Sequence, residues 1–307
     1  MSPPLVSVIL PVHNRAETIL RAVDSVLAQS HAQLELLVVD DASTDGTRAA
    51  LATVADPRLR VLTLAQNGGP AVARNQGIKQ ARGEWLAFQD SDDEWLPHKL
   101  QAQLAVAGDA SLVLCPYALP GPAGPRRIEA RMARAGGDIR HDLLDGWPII
   151  TPTWLLRRDL PEGLPQFDES LRCLEDWDLI LRLGRQRRIV AGPAEVCLHK
   201  HASADSVCGD PARMRHALAE ILRRHGALWA DSPTRRARRL GHLVVLDLAC
   251  GDRRAARRHA LRALRAAPWH PAPWALLAAT WGRARWLRAC QQRWPLFTGM
   301  ALPTPAP

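Results

Sequence analysis

The chain has 307 residues, 47% of them hydrophobic and 23% charged, which suits one large core or an α/β domain with a smaller appendage and excludes a disordered protein. Its 40 basic residues outnumber 31 acidic ones, yet only Lys79, Lys99 and Lys200 are lysine, a bias that reflects genome composition as much as selection for a basic surface. The net charge of +9 therefore does not mark nucleic acid as the partner, although it favours nucleotide phosphates and anionic membrane faces.

Residues 5–10 form a short apolar run that stops at Pro11, His13 and Asn14, and Ile19, Val23, Val26 and Leu27 then recur at helical spacing. A buried strand, a loop and a covering helix are expected. A second apolar run over 34–39 ends at Asp40 and Asp41, and the polar stretch 41–47 supplies cap and turn formers before a helix reaching about Val54. Residues 60–64 read as a third strand, 71–81 as a helix after the Gly68-Gly69-Pro70 turn, and 84–88 as a fourth strand. This alternation predicts βαβ units around a largely parallel sheet. Ligands gather beyond the carboxyl ends of such strands, and the acidic clusters fall there: Asp40 and Asp41 after the second strand, Asp90, Asp92 and Asp93 after the fourth.

Further along, 96–106 reads as a helix, 111–115 as a short strand, and 116–147 as a Gly/Pro-rich loop over the site with a short helix near 142–144. A strand over 151–156, an amphipathic helix over 171–183 and an extended stretch over 188–198, broken at Gly192-Pro193, follow. The texture then turns helical, with segments expected at 214–225, 236–250, 253–266 and 273–290. Between Asp231 and Trp294 there are 14 arginines, three aspartates and no glutamate. The expected division is a catalytic domain over 1–208 and a basic, Trp-containing helical extension over 209–307. Within the extension, Gly251, Ala256, Ala260, Ala263 and Pro268 resemble one tetratricopeptide helix pair, too few for a repeat array.

The six cysteines form no C-x-x-C pair, so neither a zinc ribbon nor a disulfide scaffold is suggested. With no secretory leader pattern and no apolar run of roughly 18 residues, a cytoplasmic protein is the expectation.

Four constellations are able to carry chemistry. Pro11-Val-His-Asn14 beside Asp40-Asp41 can shape a pocket for a base and accept a hydrogen bond from a base or ribose; a helix cap and tight turn is the alternative. Asp90-Ser91-Asp92-Asp93 sets hard oxygen ligands at alternate positions, suited to Mg²⁺ or Mn²⁺ that also holds a diphosphate. Such an ion neutralises a departing nucleoside diphosphate. Glu175-Asp176-Trp177-Asp178 offers a carboxylate to remove a proton from an acceptor hydroxyl, with Glu175 and Asp178 on one side and Asp176 pointing elsewhere. His199-Lys200-His201 offers imidazole to a metal, His201 ahead of His199, and an ammonium to a phosphate, against a surface loop as the alternative. In 67–75 the glycines permit close approach, and Arg74 either contacts a phosphate or holds the acidic cluster together.

The ordered series 11–14, 40–47, 69–77, 83–93 and Glu175-Asp176 resembles the inverting family 2 (GT2) glycosyltransferases over about two thirds of the chain. The resemblance implies an α/β GT-A fold, with a mixed, mainly parallel central sheet, plus a C-terminal helical extension. It implies a hexosyltransferase-type enzyme in which Asp176 is the catalytic base and Asp41, with Asp40, recognises the nucleotide. Asp92 would coordinate the donor's Mn²⁺ or Mg²⁺, with Asp90 and Ser91 in support and His201 then His199 as further ligands. Pro11, His13, Asn14, Gly69, Arg74 and Lys200 complete the donor site; His199 stands where many relatives carry Arg. The donor is a nucleotide-diphospho-sugar, commonly a UDP-sugar. The acceptor is a hydroxyl on a glycan, a lipid-linked glycan or another molecule in bacterial surface polysaccharide or glycoconjugate synthesis.

Two alternatives stay open: a nucleotidyltransferase acting on sugar phosphates, disfavoured because no Gly-rich basic loop follows the first strand, and a catalytically weak glycosyltransferase-like binding protein. Nucleic-acid binding is disfavoured by the absence of a recognised module. The arginine-rich helices, with Trp269, Trp274, Trp281 and Trp286, point to peripheral association with the cytoplasmic face of the inner membrane, to a homo-oligomer or to an assembly partner.

Overall fold

The computed structural model describes residues 3–120, 124, 126–128, 150–185, 187–201 and 210–281. The chain divides into two compact units, Met1–Ala204 and Asp205–Pro307.

In the first unit, β1 (Val6–Val12), β2 (Leu34–Asp40) and β3 (Leu59–Thr63) alternate with α1 (Ile19–Leu27), α2 (Thr47–Leu51) and α3 (Pro70–Gln80), which leads to β4 (Trp85–Phe88). β2 is buried along its whole length and β1 at all but Pro11, as strands covered on both faces must be. β5 (Glu94–Trp95), α4 (Lys99–Ala107), β6 (Leu112–Leu114), β7 (Tyr117–Leu119) and β8 (Arg126–Ile128) follow. β9 (Trp154–Arg157), α5 (Glu175–Leu183), β10 (Ile189–Ala191) and β11 (Leu198–His199) complete the unit.

The main sheet has the order β10-β6-β9-β4-β1-β2-β3. β1 pairs in parallel with β2 on one side and β4 on the other, and β9 is the antiparallel member, lying between β4 and β6. The chain thus runs outward from β1 to β3 and returns on the other side of β1 as β4. That reversal opens a crevice at the carboxyl ends of β1, β2 and β4, where doubly wound sheets take their ligands. A small second sheet, β5-β11-β7-β8, brings the segment after Leu198 back beside Glu94.

The loop expected over 116–147 carries two strands, β7 and β8, the helix expected to about Val54 ends at Leu51, the one expected from residue 96 starts at Lys99, and local chemistry moves further boundaries. The strand expected from residue 151 opens as a 3-10 turn at Thr151–Thr153, because Pro152 has no N–H for a ladder, and only then becomes β9. The helix expected from residue 171 starts at Glu175, because Leu174 sits at φ 61, outside the helical region. The last expected helix runs over Pro271–Ala279 and is capped at Thr280, while 282–290 and the short helix near 142–144 lie outside the described residues.

Gly83 lies against the start of β1, where its N–H donates to Ser7 Oγ at 2.8 Å, and Ser7 in turn donates to buried Glu35 at 2.6 Å. A Cβ on Gly83 would fall 2.6 Å from the Ser7 backbone nitrogen and 2.7 Å from the Leu5 carbonyl oxygen. Backbone cannot rotate away as a side chain can. Gly83→Ala should therefore cost about 1–3 kcal/mol, read as a lower urea midpoint at unchanged m-value.

The second unit comprises α6 (Pro211–His225), a 3-10 turn (Gly226–Trp229), α7 (Pro233–Ala249), α8 (Arg253–Ala266) and α9 (Pro271–Ala279). Asp210 and Asp252 cap α6 and α8 by accepting from Ala212 and Ala255 N–H. α8 packs through small residues: Ala256 and Ala260 cluster with Val244, Val245 and Leu276, and Ala263 with Ala237 and Leu240. At this interface buried Asp247 meets His259 Nδ1 at 2.6 Å.

Candidate active site

The wall beyond β1 and β2 is a web of loop-to-loop hydrogen bonds. The Asp41 carboxylate accepts from Gly68 N–H at 2.8 Å and Gly69 N–H at 2.7 Å, which fixes the turn that opens α3. His13 Nδ1 lies 2.8 Å from the Asp41 carbonyl oxygen. A carbonyl only accepts, so Nδ1 carries the proton and neutral Nε2 is left to accept from the Asn14 amide at 3.3 Å. Asn14 Oδ1 accepts from Thr44 N–H at 2.8 Å. Asn14 and Ala42 both hold left-handed backbone, at φ 52 and φ 57, at the ends of neighbouring strands. Paired strain of this kind concentrates at ligand sites. Pro11 lies within β1, half-buried, opposite Val39 of β2. Asp40 is buried and its carboxylate is taken up by Ser43 N–H at 3.0 Å and Arg48 Nε at 2.7 Å. Of the acidic pair, Asp41 shapes the loop facing the crevice and Asp40 ties β2 to α2.

α3 links this wall to the acidic cluster. Gly69, at φ 88, caps its start, and Arg74 follows five residues on, about 7 Å along the axis. Buried Arg74 divides its guanidinium between Glu175 Oε1 at 2.7 Å and Asp90 Oδ1 at 3.0 Å, and lies over the Phe167 ring at 5.4 Å. Burial would lower its pKa, but Asp90, Glu175 and Asp176 outweigh burial and raise it. Next to it, Asn75 accepts from Phe167 N–H at 2.9 Å and donates to the Phe167 carbonyl and to Glu169, both at 2.9 Å, clamping the loop that leads into α5.

Asp90, Ser91, Asp92 and Asp93 form a turn beyond β4, closed by Asp93 N–H donating to the Asp90 carbonyl at 3.2 Å. Asp90, Asp92 and Asp93 each place a carboxylate oxygen within 4.8 Å of the others. Asp93 is buried, and accepts from Lys200 Nζ at 3.1 Å and His201 N–H at 3.0 Å. Burial pushes its pKa up to about 7, helped by Asp90 and Asp92 and opposed by Lys200 and the His201 N–H. Lys200 also lies 3.8 Å from Asp90. Burial would lower the Lys200 pKa, but these carboxylates raise it. The ammonium that the sequence pattern offered to a phosphate is thus paired with the acidic turn.

His201 Nε2 is buried without a hydrogen-bond partner among the described residues, 3.5 Å from Glu94 Oε2. His199, in β11, is set opposite Glu94 of β5. The three converging carboxylates are a donor set that fits a hard divalent cation, and neither His201 nor His199 belongs to that group as it stands. Two of the sequence candidates, Asp90 and Asp92, belong to the carboxylate group; the third member, Asp93, was singled out by position alone. Arg21 supports the turn from outside, donating to the Asp92 carbonyl at 2.6 Å.

At the start of α5 the acids separate by role. Glu175 is the Arg74 partner, and buried Asp178 pairs with Arg182 at 2.8 Å. Among the described residues Asp176 forms no ion pair: half-buried, it accepts from Trp177 N–H at 2.7 Å. Burial pushes its pKa up to about 7, with Glu175 and Asp90 adding and the Trp177 N–H and Arg74 opposing. A carboxylate titrating near neutrality is matched to proton abstraction from a hydroxyl. Sequence reasoning missed Arg172, whose Nη1 donates to the Gly68 carbonyl at 3.0 Å and so joins the α5 loop to the Asp41 turn. No motif marks that arginine.

A glycosyl transferase family 2 model matches residues 7–159. The chain is 45% identical over 191 residues to the succinoglycan biosynthesis protein ExoO of Rhizobium meliloti, covering 58% of this chain and 55% of that protein. It is 43% identical over 106 residues to the UDP-Glc:alpha-D-GlcNAc-diphosphoundecaprenol beta-1,3-glucosyltransferase WfgD of Escherichia coli, covering 34% of this chain and 42% of the relative. The matched part spans about half the length of these curated relatives. Among solved structures, the fold is similar to the mannosyltransferase PcManGT of Pyrobaculum calidifontis in complex with GDP-Man and Mn²⁺, at 22% identity and TM-score 0.59 over 97% of this chain and 83% of that one. It is also similar to S. aureus TarS 1–349 in complex with UDP-GlcNAc, at 20% identity and TM-score 0.63 over 95% and 93%.

Proposed function

The chain belongs, through residues 7–159, to glycosyl transferase family 2 and has a GT-A-like fold with a helical extension, and from that premise we propose that it transfers a hexose, with inversion, from a nucleotide-diphospho-sugar to an acceptor hydroxyl. The observation that carries this reading is the Arg74 bridge. By holding Asp90 and Glu175 together it sets the acidic turn and the Asp176 helix against one crevice at the sheet's switch point.

Asp41, His13 and Asn14, with Pro11 and the Gly69 turn, would shape the pocket for the nucleotide, proposed as UDP. Asp92, with Asp90, Ser91 and Asp93 in support and His201 then His199 as further ligands, would hold Mn²⁺ or Mg²⁺, whose charge offsets that of the departing diphosphate. Asp176 takes the proton of the acceptor hydroxyl as that oxygen attacks the anomeric carbon from the face opposite the nucleotide. Arg74 keeps Glu175 from competing as base, because the guanidinium holds it as an ion pair. Lys200 keeps buried Asp93 paired while the donor site forms.

The names of relatives in succinoglycan synthesis and in transfer to a diphosphoundecaprenol-linked sugar support a bacterial surface glycan or lipid-linked glycan as the acceptor class. Catalysis is assigned to 1–208 and docking or packing to the helices of 209–307. No helix among the described residues is long and apolar enough to cross a membrane. We infer a cytoplasmic location, where a nucleotide-sugar donor is met.

The test is a panel of nucleotide sugars with Mn²⁺ or Mg²⁺, read by thermal stabilisation and by release of nucleoside diphosphate. One UDP-sugar should stabilise the protein and be turned over with acceptor present, and chelation should abolish turnover. Release that needs no acceptor, or the absence of any stabilising nucleotide sugar, would refute the reading. Because the base must be ionised, kcat/KM should fall about tenfold per pH unit below a pKa near 7 and level off above it.

A further inference from the structure

From residue 253 to residue 281 the sequence carries six arginines and no aspartate, glutamate or lysine. Five of the six lie on exposed positions of α8: Arg253, Arg254, Arg258, Arg262 and Arg265. The helix buries Ala255, Ala256, Ala260 and Ala263, so its inward face is made of small residues. Its outward face repeats Arg254, Arg258, Leu261, Arg262 and Arg265 at three- and four-residue spacing, a single basic stripe.

Four of the five described acids of this unit pair with arginines outside α8, although Asp252 also caps α8 and feels the charge of Arg258. Glu220 pairs with Arg223 and Arg224, Asp210 with Arg213, and Asp247 and Asp252 face Arg215. Among the described residues no ion pair involves an α8 arginine. Such a density of like charge is unfavourable for folding on its own, so an anionic surface that covers it gains twice, by attraction and by relief of repulsion.

Large apolar groups are exposed in the same region. Trp269, Trp274 and Trp281 are 68%, 56% and 71% exposed, and Leu261, within the arginine stripe, is 43% exposed. Two of the indoles are held in place. Trp274 donates to the Pro268 carbonyl at 2.9 Å, and the Arg257 guanidinium stacks on Trp281 at 3.9 Å. Indoles beside guanidinium groups match the boundary between lipid headgroups and acyl chains, where the ring is apolar enough to enter and the cation meets phosphate. A polyanion such as RNA would satisfy the arginines but has no use for an exposed aliphatic Leu261 in their midst.

We propose that the α8 stripe and its flanking tryptophans form a docking surface for an anionic lipid membrane. The arginines meet lipid phosphates while Leu261 and the indoles seat at the headgroup boundary. Docking is independent of the transfer reaction and can fail or hold without it.

The experiment uses the full chain in co-sedimentation with vesicles of phosphatidylcholine alone and with about one third phosphatidylglycerol. Anionic vesicles should bind at least about tenfold more tightly than neutral ones, and raised salt should weaken the binding. The combined variant Arg254→Glu, Arg258→Glu, Arg262→Glu should lose about tenfold or more, whereas lysine at the same three positions should retain binding. Leu261→Ser with Trp269→Ser should weaken binding and keep the anionic preference. Nucleotide-sugar turnover on a soluble acceptor should be the same in the glutamate variant, which separates loss of docking from loss of the enzyme. If the glutamate variant melts early, glutamine at the three positions takes its place. Equal binding to neutral vesicles, unchanged binding by the charge-reversed or charge-neutralised protein, or tighter binding to RNA than to anionic vesicles would overturn the proposal.

Discussion

Asp176→Asn should lower turnover by about a hundredfold to ten-thousandfold, the usual contribution of a general base, with nucleotide-sugar affinity unchanged. The substitution is nearly isosteric, and the amide oxygen still accepts from Trp177 N–H. Because the Asp176 side chain makes no hydrogen bond or ion pair with the acidic turn among the described residues, the donor site should stay intact. Stability supplies an internal control. The Asp176 pKa is raised to about 7 from 3.8, so the folded state favours the protonated acid. Stability associated with that proton is complete below about pH 4 and is lost as pH rises through about 7. Asparagine does not ionise, so at pH 8 the variant should melt at or above the wild-type temperature while turning over far more slowly. A variant that is slow only because it is unfolded would show the reverse.

Arg74→Ala should cost about 3 kcal/mol of stability and most of the activity. It strands Glu175 and Asp90, whose side chains are 10% and 27% exposed, without the cation that now joins them. The partial exposure of Asp90 keeps the cost at the lower end for a broken buried pair. Arg74 also opposes the rise in the Asp176 pKa. Its removal should therefore move the acid limb of the pH profile above 7, a change that simple destabilisation would not produce. Arg74→Lys should restore charge and the position of the limb but only part of the stability, since an ammonium lacks the planar fork that reaches two carboxylates. Urea titration and kcat/KM against pH check both parts.

The parallel half of the sheet was legible because β1, β2 and β4 are short, mostly apolar runs that stop at polar residues (His13-Asn14, Asp40-Asp41 and Gln89-Asp90), a pattern that burial on both faces imposes. β9 also read as a strand, but nothing in its residues shows that it runs antiparallel between β4 and β6. Leu174 was opaque: leucine gives no sign of a left-handed backbone, so the late start of α5 could not be anticipated. Within the site, the types and positions of the acids were readable and the partners that distinguish them were not. Asp90, Asp92 and Asp93 are equivalent as letters, and only burial beside Lys200 and the His201 N–H distinguishes Asp93. The same holds for Glu175, Asp176 and Asp178, which are sorted by whether Arg74 or Arg182 reaches them. Two readings of Arg74 were open on sequence, and the ion-pairing one matches its contacts.

The most direct measurement of the central claim is the anomeric configuration of the product, read by proton NMR of the new glycosidic linkage formed from an α-linked nucleotide sugar. Direct displacement with Asp176 as the base predicts a β linkage. An α linkage, formed at the same site and lost in Asp176→Asn, would contradict it.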